Sequence, residues 1–293
     1  MKWHDLLSKF DSYLLSKQRS NSTRIAYIKD IKQLVEYFEE KGLLEPDKIT
    51  AQHLEEYLIE IKEKGNFTLK TISRKINSMK TFFKFLIEEN SIKSNPCLTI
   101  KHPQTDPLTP RILNSFEYRA IRDCARINKK NYTMIELLLQ TGIRIGELSR
   151  LKQNDLFKDT EGKNMLRIQP FSTIPQRDVE LNPIVFSALS EYLSSIISLP
   201  KNIENYMFFT KTGRQILIRN IRTTLDRVFK KAGIRSAKIN DLRNTFIVYQ
   251  LENGLNIDAL AKIVGQRKRS TTERYMHYVI EPSKKNTLKI IPL

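Results

Sequence analysis

The sequence predicts a mainly α-helical fold with a small β-sheet, divided into two domains. Three observations carry that expectation. Apolar residues recur at helical spacing through the first hundred positions. A proline-containing stretch without periodicity follows at 97–109. One β-rich patch near 165–181 interrupts an otherwise helical remainder.

The opening MKWHDLLSKF mixes charges into an apolar pattern and reads as a helix; it has no small-residue cleavage site of a secretory signal. After Asn21-Ser22, the residues Ile25, Ile28, Ile31, Leu34, Val35 and Phe38 share one face, with Ser22 as N-cap and Gly42 as stop. Thr50 opens a third helix, with Leu54, Leu58 and Ile61 on one side, ending near Gly65. A fourth begins about Thr68, carries Ile72, Ile76, Met79, Phe83 and Leu86 as its stripe, and is ended by Asn95-Pro96. Four helices joined by short turns make a small bundle.

Residues 97–109 (CLTIKHPQTDPLT) have the chemistry of a linker, since each X-Pro step disfavours helix. The expected division is a helical domain over 1–100, a linker over 101–109 and a second domain over 110–293. In that second domain helices are expected near 114–128 and 131–141. A hairpin of Met165–Ile168 with Asp178–Leu181 follows, its connection carrying Pro170 and Pro175. Helices resume near 183–197, 218–232, 240–253 and 256–264.

Composition narrows the function. No apolar run approaches the length of a membrane span, so no membrane partner is expected. Cys97 and Cys124 form no metal or redox motif, which points to a reducing cytoplasm and to chemistry without a metal or cofactor. Net charge is +18 and unevenly spread: residues 1–105 hold 18 basic and 14 acidic side chains, residues 106–293 hold 32 and 18. A basic excess of this size favours a polyanion such as DNA, because each Lys or Arg placed on a phosphate releases condensed counterions.

Four segments carry the candidate chemistry: TGIRIGEL at 141–148, the hairpin at 165–181, NDLRNTF at 240–246, and GQRKRSTTERY at 265–275. Singly each has a bland explanation as a solvated loop or surface arginine. Together, in this order, they resemble the tyrosine recombinase family (phage integrases and Xer-like proteins). Arg144 and Glu147 match its first box and Arg243 its second. Gln266 to Tyr275 keeps the nine-residue interval that precedes the family's nucleophile. The bundle with Ser22-Thr23 and Tyr27, and the ending ENSIKSNP, is similar to the family's core-binding domain, so the likeness covers nearly the whole chain.

The resemblance implies a helical core-binding domain followed by an α/β catalytic domain that cuts double-stranded DNA at a specific site through a 3′-phosphotyrosine on Tyr275. Arg144 and Arg243 would clamp the phosphate oxygens, since guanidiniums stay charged and bind bidentately. It also implies a C-shaped clamp around DNA, a homo-tetramer on two DNA sites, accessory DNA-bending proteins in some systems, and no cofactor.

Three positions depart from the family pattern. Asn240 and Gln266 stand where histidines are expected; their amides donate hydrogen bonds but cannot relay a proton. No lysine occurs between Met165 and Leu181, although the family's general acid is a hairpin lysine whose place falls near Ser172. Lys163, just before the first strand, is one substitute; a differently folded hairpin is another. A recombinase-fold accessory protein that binds but no longer cuts is the alternative function, with a type IB topoisomerase a weaker one. Candidate DNA contacts are Arg24, Arg74, Asn77 and Lys80 on the first domain, and Arg177, Arg219, Arg222 and Arg267 on the second. The tail at 279–293, with Leu288, Ile290, Ile291 and Leu293, is expected to find no room on its own core and to dock on a neighbouring protomer.

Overall fold

The structure, a computed structural model, describes residues 3–65, 67–104, 109–171, 174–196, 205–280, 287 and 289–293. The chain forms two compact units, Met1–Leu108 and Thr109–Leu293.

The first unit contains α1 (Trp3–Ser16), α2 (Asn21–Glu40), α3 (Ala51–Lys64) and α4 (Leu69–Glu88). Thr50 and Thr68 cap α3 and α4 by accepting backbone N–H groups three residues on. The cap of α2 is Ser20, whose hydroxyl accepts the Thr23 N–H; Ser22 already lies inside the helix. Likewise α4 ends at Glu88, well before Asn95-Pro96. There Asn90 takes a φ of 54°, a left-handed conformation that asparagine tolerates, and turns the chain out of the helix. The apolar stripes meet in an aromatic core, with Phe10 edge-on to Phe82 at a centroid distance of 5.0 Å. A buried polar group sits beside it: Lys75 donates to Asp30 (3.2 Å) and Gln33 (2.5 Å), and Ser78 donates to Asp30 (3.2 Å).

The second unit begins with α5 (Ser115–Ala125), α6 (Lys129–Thr141) and the single-turn α7 (Ile145–Leu148). An antiparallel sheet follows in the order β1 (Leu156–Lys158), β2 (Asn164–Ile168), β3 (Arg177–Glu180). The hairpin register pairs Leu166 with Val179 and Ile168 with Arg177. Strand β1 escaped the sequence reading because three residues are too few to show alternation. After the sheet come α8 (Pro183–Ser194), α9 (Ile218–Lys231), α10 (Ile239–Glu252), α11 (Ile257–Ile263) and α12 (Arg269–Glu273), then a 3₁₀ turn over Arg274–Tyr278. The core lies around α6 and α10, which are buried on nearly every face and pack on each other and on α5, α8 and α9.

The tail corrects one expectation. Ile290 and Leu293 pack against the core of their own unit. The Gln250 side chain pairs with both backbone groups of Ile291 (2.6 and 2.9 Å), and Gln140 does the same for Leu293 (3.0 and 3.0 Å). Two buried glutamines act as pieces of backbone and give the tail a seat that composition does not reveal. Leu288, also named for that tail, lies outside the described residues. Among the described residues no helix is long and apolar enough to cross a membrane.

Candidate active site

The site starts at the end of α6. Gly142 has a φ of +61° and caps the helix in the left-handed conformation; a Cβ there would lie 2.4 Å from the Phe246 ring. This turn launches Arg144 into α7, where the Glu147 carboxylate accepts the Arg144 backbone N–H (2.8 Å) and its guanidinium (3.2 Å). Arg177, arriving on β3, forks onto the same carboxylate at 3.0 and 2.8 Å. Burial alone raises the Glu147 pKa, but the hydrogen bonds and charges of Arg177 and Arg144 outweigh it and hold the carboxyl below its ordinary value.

The end of α11 organises the guanidiniums. A helix leaves its last carbonyls unsatisfied and carries partial negative charge there. Three consecutive carbonyls at this end each receive an arginine. Ile263 accepts from Arg177 (2.7 Å), Val264 from Arg243 (2.7 Å) and Arg144 (3.2 Å), and Gly265 from Arg144 (2.8 Å). Arg243, on α10, also donates to the Gly142 carbonyl. Burial, with Arg144 close by, lowers the Arg243 pKa to about 9, still high enough to keep it charged at neutral pH. Gly265 has a φ of +64°, and a Cβ there would come within 2.7 Å of the Arg177 guanidinium.

Tyr275 lies in the 3₁₀ turn after α12 and donates its hydroxyl to the Asn244 side-chain oxygen at 2.9 Å. Asn244 follows Arg243 on α10 and also accepts from Asn240 (3.2 Å) one helical turn away. Burial raises the Tyr275 pKa, opposed by the charges of Arg243, Arg274 and Arg144. The phenol is therefore protonated at neutral pH, with cations placed to favour the phenolate. Asn244 was missed by sequence reasoning, which had only its place one helical turn after Asn240 as a signal.

Other expected residues fall differently. The Gln266 side-chain oxygen accepts from the Thr272 hydroxyl (2.5 Å), which leaves the amide N–H groups as its donors. Lys163 sits in the turn between β1 and β2, bound to Glu161 at 2.5 Å. Because β2 pairs its far end, Ile168, with Arg177, Lys163 lies roughly 17 Å along the strand from the arginines, five residues at about 3.3 Å each. It is not brought to this cluster. Ser172, the place matching the family's lysine, is outside the described residues.

Of the expected DNA contacts on the second unit, Arg177 is instead half of a buried ion pair, because β3 aims it inward at Glu147. Arg219, Arg222 and Arg267 are exposed. On the first unit, Arg24 is engaged by Asp11 (2.9 and 2.6 Å), and Arg74 by the buried Asp30. Asn77 and Lys80 line an open groove of about 630 Å³ with Lys17, Arg19 and Lys84, three cations sequence reasoning did not single out. Among the described residues no cluster of His, Cys, Asp and Glu is placed to hold a metal ion.

Comparison with known proteins decides the family. The chain matches the phage integrase family over residues 110–280 and the N-terminal SAM-like domain of phage integrases over residues 7–90. It belongs to the phage integrase family of tyrosine recombinases. A tyrosine recombinase of Pseudothermotoga lettingae is 31% identical to this integrase-family chain over 290 residues, covering 94% of each. The tyrosine recombinase XerC of Bacillus licheniformis is 28% identical over 288 residues, covering 93% of this chain and 91% of the relative. Among solved structures, the Tn1549 transposon integrase in complex with transposon right end DNA superposes with a TM-score of 0.75 at 20% identity, covering 94% of both chains. A lambda integrase dimer bound to a COC′ core site gives 0.73 at 16% identity, covering 99% of this chain and 81% of the other. These two share the fold.

Proposed function

We propose that this chain is a site-specific recombinase that cleaves and rejoins double-stranded DNA, with Tyr275 as nucleophile. The observation that carries the reading is the junction on α10. Arg243 is followed by Asn244, which holds the Tyr275 hydroxyl, and the same Arg243 meets Arg144 at the end of α11. A scissile phosphate seated on Arg144 and Arg243 would have its non-bridging oxygens neutralised as charge builds in the five-coordinate transition state. The Asn240 and Gln266 amides are available as further donors.

Attack by the Tyr275 oxygen on phosphorus breaks the bond to the 5′-oxygen and leaves a 3′-phosphotyrosine. The phenolic proton leaves to water, since Asn244 is an amide and takes none. The covalent link conserves the phosphodiester bond, so a 5′-hydroxyl from another strand reverses the step without ATP. The groove at Lys80 and the exposed Arg219, Arg222 and Arg267 supply phosphate contacts that position the duplex. Assembly as a homo-tetramer on two sites, with DNA-bending partners in some settings, belongs to the same reading.

The test is a nicked suicide duplex bearing the cognate site, which is recovered by sequencing protein-bound genomic DNA. Wild-type protein is expected to give a denaturant-resistant protein–DNA adduct, and Tyr275→Phe none. Tight binding without an adduct in either protein would replace this reading with that of a non-cutting DNA-binding accessory protein.

A further inference from the structure

A tyrosine-for-alkoxide exchange needs help at the leaving atom as well as at the nucleophile. The departing 5′-oxygen is far more basic than a phenolate, so a proton donor or a fixed cation beside it lowers the barrier strongly. Arg144 and Arg243 are assigned to the non-bridging oxygens, and Arg177 is tied to Glu147 and to the Ile263 carbonyl. The β2–β3 hairpin has no lysine.

A cation beside Glu147, on the hairpin side of this cluster, is also without an acceptor. Arg150, three residues beyond Glu147, makes no side-chain hydrogen bond or ion pair among the described residues, and Glu147 has its oxygens taken by Arg144 and Arg177. The Arg150 guanidinium stacks on the ring of Phe171, its carbon 3.7 Å from the ring centroid. Phe171 belongs to the hairpin connection, where it exchanges two backbone hydrogen bonds with Ile174 (3.0 Å each). Gln169 ties the root of that connection to Asp155 (2.6 Å). Phe171 is 48% exposed and Arg150 is partly buried beneath it, close enough to Glu147 to feel its charge. Stacking leaves the edge N–H groups of a guanidinium free to donate, and it fixes the plane in which they point.

We infer that Arg150, held by Phe171, is a catalytic residue that donates to the departing 5′-oxygen and carries the role a hairpin lysine would otherwise fill. The inference rests on Tyr275 being the nucleophile. The step balances without further reagents. The Tyr275 oxygen bonds to phosphorus and loses its proton to water. The electron pair of the breaking P–O bond goes to the 5′-oxygen, which is held by the Arg150 N–H groups and takes a proton from water. Arginine stays charged throughout and acts by charge and hydrogen bonds.

The experiment compares single-turnover cleavage of two suicide duplexes, one with the natural 5′-oxygen and one with sulfur at the bridging 5′ position. A thiolate departs without a donor. Wild type, Arg150→Ala, Arg150→Lys and Tyr275→Phe are each tested after DNA affinity and urea midpoint have been matched to wild type. The expected result is that Arg150→Ala slows the oxygen substrate on the order of 10²-fold yet cleaves the sulfur substrate within about threefold of wild type, Arg150→Lys lying between. Equal losses on both substrates, or no loss on oxygen, would overturn the assignment while leaving the recombinase reading intact. Should Arg150→Ala not fold, Arg150→Lys decides by the same criterion, a loss confined to the oxygen substrate. If wild type cleaves neither duplex, the recombinase reading falls and this assignment with it.

Discussion

Glu147 shows how one carboxylate organises a cationic site. Three arginines that converge without a counter-charge repel one another; a buried carboxylate bridging two of them offsets that repulsion and fixes their planes. Its depressed pKa makes this testable. A group whose folded pKa lies below its unfolded value contributes stability that is fully present above the unfolded pKa and is lost as pH falls through the folded one. The stability difference between wild type and Glu147→Gln, read by urea unfolding, is therefore expected to shrink as pH drops from about 6 to about 3. A difference that stays flat across this range would mean the carboxylate's charge is not what the arginines require.

Among the elements, the α6–α7 turn and the end of α11 do the positioning. The turn needs a left-handed residue without a Cβ, because Gly142 faces the Phe246 ring at contact distance. Gly142→Ala is expected to cost about 2 kcal/mol or more. It should also slow cleavage, since the Gly142 carbonyl that accepts from Arg243 moves with the turn. Unchanged stability and cleavage would show that the turn relaxes without moving Arg243. The end of α11 illustrates why short helices matter here: its orphan carbonyls serve as acceptors for Arg144 before α7, Arg177 on β3 and Arg243 on α10.

For the molecule as a whole, the charge of +18 sets a strong, salt-dependent attraction to DNA. The structure separates cations free to contribute from those already spent. Lys80 and Lys84 line the open groove of the first unit, whereas Arg74 is bound to the buried Asp30. Replacing Lys80 and Lys84 together by alanine is expected to reduce the slope of log affinity against log salt by about 2. Arg74→Ala should leave that slope alone and lower the stability of the first unit. A salt slope that responds to Arg74 and not to the two lysines would reverse this division.

The sequence by itself determined the longer helices, the two strands of the hairpin and the family. These depend on neighbours within a few residues: apolar stripes, hydroxyl caps, the glycine turn before Arg144, and the interval from Gln266 to Tyr275. Tertiary structure decided how polar groups far apart in the chain were matched. It paired Arg177 with Glu147, Arg24 with Asp11 and Arg74 with Asp30, gave Tyr275 to Asn244, left Lys163 at the wrong end of β2, and seated Ile291 and Leu293 on Gln250 and Gln140. The reason is that periodicity records which face of an element is buried. A charged side chain, by contrast, takes whichever acceptor the folded chain brings within reach, and desolvation penalises every arrangement in which that acceptor is missing.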